Sequence, residues 1–129
     1  MTLKFIVLSD LHVMPEGELS MTLDTGARLE QAVQTIAARY HNVDFCVLAG
    51  DLTDLGQPAA YERVKSLIDR IEIPVHLTLG NHDDRETFVS VFGEEYLAET
   101  GKIDKALDSK GYRIILLDSS EPGRVDGVL

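Results

Sequence analysis

The stretch Val75-His76-Leu77-Thr78-Leu79-Gly80-Asn81-His82-Asp83 decides the fold. An apolar run of strand length ends at a glycine and then presents an amide, an imidazole and a carboxylate in succession. The same event occurs twice earlier. Phe5-Ile6-Val7-Leu8 runs into Ser9-Asp10-Leu11-His12, and Phe45-Cys46-Val47-Leu48-Ala49 runs into Gly50-Asp51-Leu52-Thr53-Asp54. In an open parallel sheet, ligands bind in the crevice beyond the carboxyl ends of the strands. Three such ends would aim Asp10, His12, Asp51, Asn81 and His82 at one place. That is the pattern of a metal centre, here of two metals sharing one carboxylate.

Outward from these ends, the chain alternates strands and helices. Strands are expected near residues 3–9, 44–49, 74–79 and 112–118. A helix over residues 25–40 carries Leu29, Val33, Ile36 and Tyr40 on one stripe, with Asp24 or Thr25 as its N-cap. A second helix starts near Pro58, a residue favoured in the first turn, and its stripe is Tyr61, Val64, Ile68 and Ile71. A third covers about 84–97, with Phe88, Val91, Phe92 and Leu97 inward, and Asp83 and Asp84 serve as its cap and first-turn acids. Asp108-Ser109-Lys110-Gly111 is a turn, so a hairpin feeds the run from Tyr112 to Leu117. Strand–helix–strand repeats imply an α/β fold with a mostly parallel sheet, flanking helices and right-handed crossovers. The loop from Val13 to Leu23 has no periodicity, and long loops at strand ends are often functional.

The bulk numbers set bounds. A chain of 129 residues is one domain's worth, with enough length for a real core. Its 44% hydrophobic content and mean hydropathy of −0.02 are those of an ordinary globular chain. With 22 acidic against 12 basic residues, the net charge of −10 repels a nucleic-acid duplex and an anionic membrane. A small phosphate ester stays admissible, because bound cations invert the local sign. Cys46 is the single cysteine, so no internal disulfide exists. The apolar run Phe5–Leu8 is too short for a secretory or membrane segment. These features fit a reducing cytoplasm.

The chemistry follows from the residue types. Asp10 and His12 are two apart, so a continuous strand would carry both on one side. A hard oxygen beside an imidazole nitrogen suits Mn, Fe, Zn or Co rather than Ca. Asp51 has two oxygens and can bridge two cations. Asn81 adds a neutral oxygen where ligand charge must stay low. His82, one step on, faces differently and is better placed to touch a substrate oxygen. Two cations about 3.5–4 Å apart can activate a water and clamp a phosphoryl group, while His82 protonates the leaving alkoxide.

In order and spacing, Asp10-Leu11-His12, Gly50-Asp51-Leu52-Thr53-Asp54 and Gly80-Asn81-His82-Asp83 resemble the first three motifs of the calcineurin-like metallophosphoesterases. Leu23-Asp24-Thr25, Arg28-Leu29, Gly56-Gln57-Pro58 and Leu117-Asp118-Ser119-Ser120 look like the bacterial class III cyclic-nucleotide phosphodiesterase and glycerophosphodiesterase branch. The resemblance spans nearly the whole chain. It implies that Asp10, His12 and Asp51 hold a first metal and that Asp51 and Asn81 hold a second. It implies further that His82 contacts substrate and that Asp54 orients that histidine. The family fold is a four-layer αββα sandwich, of which residues 1–129 would form the N-terminal part of a single domain. Its two downstream histidine motifs are not found here, and His41 and His76 cannot replace them.

The expected function is metal-dependent hydrolysis of a small phosphodiester by two transition-metal ions. A phosphomonoesterase or nucleotidase of the same fold, or a non-catalytic scaffold, is the alternative. Other residues have plainer readings. His76 is expected to be a satisfied core histidine, Cys46 a packing residue, and Asp118 a turn residue or a support behind the site. The chain reads as cut at Gly127-Val128-Leu129. The isolated polypeptide is therefore expected to be inactive and to self-associate, because its sheet lacks a covering layer.

Overall fold

A computed structural model describes residues 2–129. Strands β1 (Phe5–Leu8), β2 (Phe45–Ala49) and β3 (Val75–Thr78) pair in parallel in the order β1-β2-β3. The register runs Phe5 to Phe45 and Leu8 to Leu48 on one side, and Cys46 to Val75 and Ala49 to Thr78 on the other. The central strand β2 is buried through Leu48, whereas β1 alternates between exposed and half-buried positions. This is the expected difference between a strand with neighbours on both sides and one at an edge. All three strands stop at the same level, so the residues after them gather at one end of the sheet.

Three helices cover one face. Helix α1 (Thr25–Arg39) is capped by Asp24, whose carboxylate accepts from the Ala27 amide at 3.1 Å, and it buries Leu29, Val33 and Ile36. Helix α2 (Pro58–Ile68) opens with proline in its first turn and buries Tyr61, Val64, Leu67 and Ile68. Helix α3 (Arg85–Phe92) buries Phe88 and Phe92. These side chains join Cys46, Leu48 and Leu77 in one apolar core, with Ile6, Leu8 and Val75 packed against it. Burial pushes the Cys46 thiol up to about 11, so it remains protonated packing material.

The third helix is shorter than its apolar pattern suggests. Gly93, at a φ of 118°, ends it, and a single 3-10 turn, Glu94–Tyr96, follows. Leu97 is therefore carried outward and is 43% exposed rather than inward. The hairpin does form. Strands β4 (Lys105–Ser109) and β5 (Tyr112–Leu116) pair antiparallel through Lys110-Gly111, both at positive φ (49° and 81°), as a two-residue turn demands. It is a separate two-stranded sheet.

His76 departs from expectation. Its Nδ1 is buried with no hydrogen-bond partner among the described residues. Burial, helped by the charge of Lys105, lowers its pKa and favours the neutral ring. Among the described residues, no helix is long and apolar enough to cross a membrane.

Candidate metal centre

The site begins where the ladder ends. Past Leu8 the chain leaves the strand: Asp10 and His12 have φ values of 56° and 47°, and Asp51 has 49°. Asp10 and His12 are thus not two residues on a continuous strand, and alternation does not place them together. What places them is a second set of backbone bonds. Asp10 N–H donates to Gly50 O (3.3 Å), His12 N–H to Asp51 O (2.9 Å) and Val13 N–H to Leu52 O (3.1 Å). Left-handed backbone is uncommon for residues other than glycine, though Asp and His tolerate it better than most, and it clusters at functional sites.

The result is convergence on His12. Its Nε2 lies 3.6 Å from Asp51 Oδ2 and 3.8 Å from Asp10 Oδ1. Its Nδ1 lies 3.0 Å from Asp54 Oδ1. A carboxylate on one ring nitrogen fixes the tautomer and leaves the other nitrogen free to coordinate. One donor atom each of His12, Asp51 and His82 falls within 4.8 Å of the others. Two metal–ligand bonds of the usual ~2.0–2.2 Å length span up to about 4.4 Å, so the donor set suits a transition-metal ion once the side chains close in slightly on it. Asp10 stands outside that trio, with an exposed side chain and a bond from the Ser9 hydroxyl (2.8 Å). Asn81 is exposed at the start of the β3 loop.

His82 is held differently from the expectation. Its Nδ1 donates to the backbone carbonyl of Asp54 at 2.8 Å, and the Asp54 carboxylate lies farther away, at 3.5 Å. Asp54 therefore serves both histidines, His12 through its carboxylate and His82 through its main chain. The His12 and His82 rings meet edge to face at 4.7 Å. The Asp54 carbonyl, helped by the charges of Asp51, Asp54 and Asp83, raises the His82 pKa against an opposing effect of burial. Asp54 is itself pinned, because Ser20 in the long loop donates its hydroxyl to Oδ2 at 3.0 Å.

Several supporting residues escaped the sequence reading. Asp83 is no helix cap. Asp84 holds that position, and the Asp83 carboxylate turns inward to the amides of Leu52, Thr53 and Gly80 and the hydroxyl of Tyr61. Burial raises its pKa even though those bonds pull the other way. Tyr61 read as a core residue, and a helical stripe gives no sign that its hydroxyl matters. Gly80 has no Cβ because one would overlap the carboxylate and amide of Asp51. Asp118, which the sequence did offer as a support behind the site, is fully buried and accepts from Arg85 Nε and from the Ile103 amide, each at 3.0 Å. It thereby ties the end of β5 to the start of α3. Arg63 reaches the carbonyl of Met14 (3.1 Å) and the carboxylate of Asp24 (3.0 Å), clamping the long loop to α2. Beside Asn81 a cleft of about 790 Å³ opens, with Arg85, Val89, Leu97 and Ser120 in its walls.

Sequence comparison agrees with this geometry. A protein described as a probable cyclic nucleotide phosphodiesterase of Rhodococcus erythropolis is 40% identical over 121 residues, covering 90% of this chain and 40% of its own length. A 3′,5′-cyclic adenosine monophosphate phosphodiesterase of Pseudomonas aeruginosa is 30% identical, covering 96% of this chain and 44% of that protein. A probable glycerophosphodiester phosphodiesterase of Arcobacter nitrofigilis is 28% identical, covering 96% and 46%. The chain thus spans less than half the length of these relatives. The family model for calcineurin-like phosphoesterases matches residues 3–122, and that family uses divalent metal ions. With three ligand-bearing strand ends folded into one crevice and a match along almost its whole length, the chain belongs to the calcineurin-like phosphoesterase family.

Proposed function

We infer that the complete protein hydrolyses small phosphodiesters, of the cyclic-nucleotide or glycerophosphodiester kind, at two transition-metal ions drawn from Fe, Mn, Zn or Co. Asp10, His12 and Asp51 would hold the first ion, and Asp51 and Asn81 the second. The observation that carries this reading is the orientation of Asp51. Its Oδ2 faces His12 Nε2 at 3.6 Å, while its Oδ1 faces the β3 loop, where it accepts from the His82 amide at 3.0 Å. A carboxylate with one oxygen toward each ligand-bearing loop is suited to bridging. When bound, the ions would activate a water and neutralise charge on the phosphoryl oxygens.

The chain's own residues do the rest. Asp54 keeps the His12 Nδ1 occupied, so that Nε2 is the coordinating atom. His82 spends Nδ1 on the Asp54 carbonyl, which leaves Nε2 to give a proton to the leaving alkoxide. The cleft beside Asn81 is of a size that accepts a small ester. The net charge of −10 disfavours a nucleic-acid duplex as substrate. Within this reading, residues 1–129 are the N-terminal part of a single domain and the protein works in the cytoplasm.

The test compares wild type with Asp51→Ala in the complete protein. Wild type should bind two ions and cleave bis(p-nitrophenyl) phosphate in preference to p-nitrophenyl phosphate. Asp51→Ala should lose metal and activity together while keeping its fold by circular dichroism. Two ions retained by the variant would sink the bridging assignment, and a preference for the monoester would sink the substrate class.

A further inference from the structure

Asp83 is a half-buried carboxylate with no step of its own in the reaction above, yet it is among the most heavily bonded side chains at the site. Its Oδ2 accepts from the amides of Leu52 and Gly80, each at 3.0 Å. Its Oδ1 accepts from the Thr53 amide (3.0 Å), the Thr53 hydroxyl (3.2 Å) and the Tyr61 hydroxyl (2.9 Å). Leu52 and Thr53 lie between Asp51 and Asp54 on the β2 loop, and Gly80 immediately precedes Asn81 on the β3 loop. The ladder between these strands ends at Ala49 and Thr78. Beyond it the two loops have no sheet to set their separation.

We propose that Asp83 is a positioning residue for the metal centre: its carboxylate, shared by the amides of Leu52, Thr53 and Gly80, fixes the spacing of the β2 and β3 loops. Asp51 is thereby set against His82 and Asn81. The proposal rests on the metal-centre reading above and deepens it. Charge-assisted bonds from main-chain amides are strong and directional, and all three point into one carboxylate from two loops. Gly80 shows how close that approach is, since any side chain there would strike Asp51. Helix capping does not account for the arrangement, because Asp84 occupies the cap.

Cobalt binding, followed by its visible spectrum, tests this in the complete protein. Asp83→Asn puts an amide NH₂ against backbone donors on one loop or both. Asp83→Glu keeps the charge but displaces it by one carbon. Both should weaken cobalt binding by roughly 10–100-fold, the usual effect of losing support behind a ligand, and both should alter the spectrum. Tyr61→Phe removes a bond to the same carboxylate without touching the loop amides. It should lower the melting temperature yet leave cobalt affinity and spectrum as in wild type.

Wild-type affinity in Asp83→Asn would overturn the proposal. So would full affinity in Asp83→Glu, which would leave only a charge effect. If neither variant folds, hydrogen exchange on the wild type decides. The amides of Leu52, Thr53 and Gly80 should be protected before metal is added, and rapid exchange would refute their common anchor. A wild type that binds no cobalt would defeat both this proposal and the functional reading. A wild type that binds cobalt but cleaves no diester would defeat only the latter.

Discussion

His82 shows how one side chain's role turns on which nitrogen is free. With Nδ1 committed to the Asp54 carbonyl at 2.8 Å, only Nε2 faces outward. That atom could protonate a leaving group or join His12 and Asp51 on an ion, since the three donors fall within 4.8 Å. The two roles separate under His82→Ala. A proton donor predicts metal content near wild type and turnover reduced by roughly 10²–10⁴-fold. The loss should be smaller for nitrophenyl esters, whose leaving groups need little protonation. Elemental analysis showing lost metal would assign His82 as a ligand instead, and an equal rate loss for good and poor leaving groups would refute the proton-donor role. The left-handed backbone of Asp10, His12 and Asp51 belongs to the same scale. Such conformations cost about 1–2 kcal/mol per residue, and here they turn three ligand-type side chains out of the strand direction and toward one another.

Among the elements, the join between β5 and α3 supports the site from behind. Asp118 meets Arg85, the first residue of α3, and also takes bonds from Ile103 and Ser120. Burial acts to raise its pKa, but Arg85, Ser120 and the Ile103 amide outweigh it, so the folded value lies below the ordinary range. A depressed carboxyl contributes stability above its unfolded pKa and loses it as pH falls through the folded value. Asp118→Asn should therefore cost about 1.5–3 kcal/mol near neutral pH, the worth of a hydrogen bond to a charged group. The gap from wild type should begin to narrow below about pH 4, where the unfolded carboxyl protonates, and close as pH falls through the lower folded value. Thermal melts of both proteins across that range check it. A gap that stays constant with pH would mean that the carboxylate's charge contributes nothing.

For the whole molecule, the sheet face opposite the helices is covered over β2, where Phe45 and Val47 are buried, and exposed along the β1 edge. Ile6 and Leu8 of β1 point to the helical core, so Phe5 and Val7 point away, and they are 49% and 53% exposed. Phe5 stacks on Phe45 at 5.0 Å, but Phe45 is itself buried, so the exposed apolar surface of this sheet is confined to the β1 edge. Ile115 and Leu117 at and just beyond β5 are exposed as well. Apolar side chains exposed on an edge strand favour association with another surface. The 129-residue polypeptide alone should therefore self-associate and cleave no bis(p-nitrophenyl) phosphate. Sedimentation at several concentrations gives the answer. A monomer that holds two metals and turns over the diester would show that these residues suffice.

Much of this was legible from the chain itself. Short apolar runs located β1, β2 and β3, and helical apolar spacing located α1 and α2, within a few residues, because buried strands and one-faced helices leave those patterns. The three polar clusters after the strands announced a common crevice, since parallel strands must end together. Other features were not legible. Gly93 looked like one residue within a helical pattern, and only its positive φ reveals that α3 stops there. Asp54 was placed behind His82 by resemblance, and it does hold that ring, but through its carbonyl at 2.8 Å, while its carboxylate lies nearer His12 (3.0 Å) than His82 (3.5 Å). Asp83 and Asp84 are identical in type and adjacent, yet one is the N-cap of α3 and the other binds two loops together. No local pattern distinguishes them. Which carboxylate turns inward depends on amides from Leu52 and Thr53, some thirty residues earlier in the chain, and only the folded approach of the β2 and β3 loops brings those donors to it.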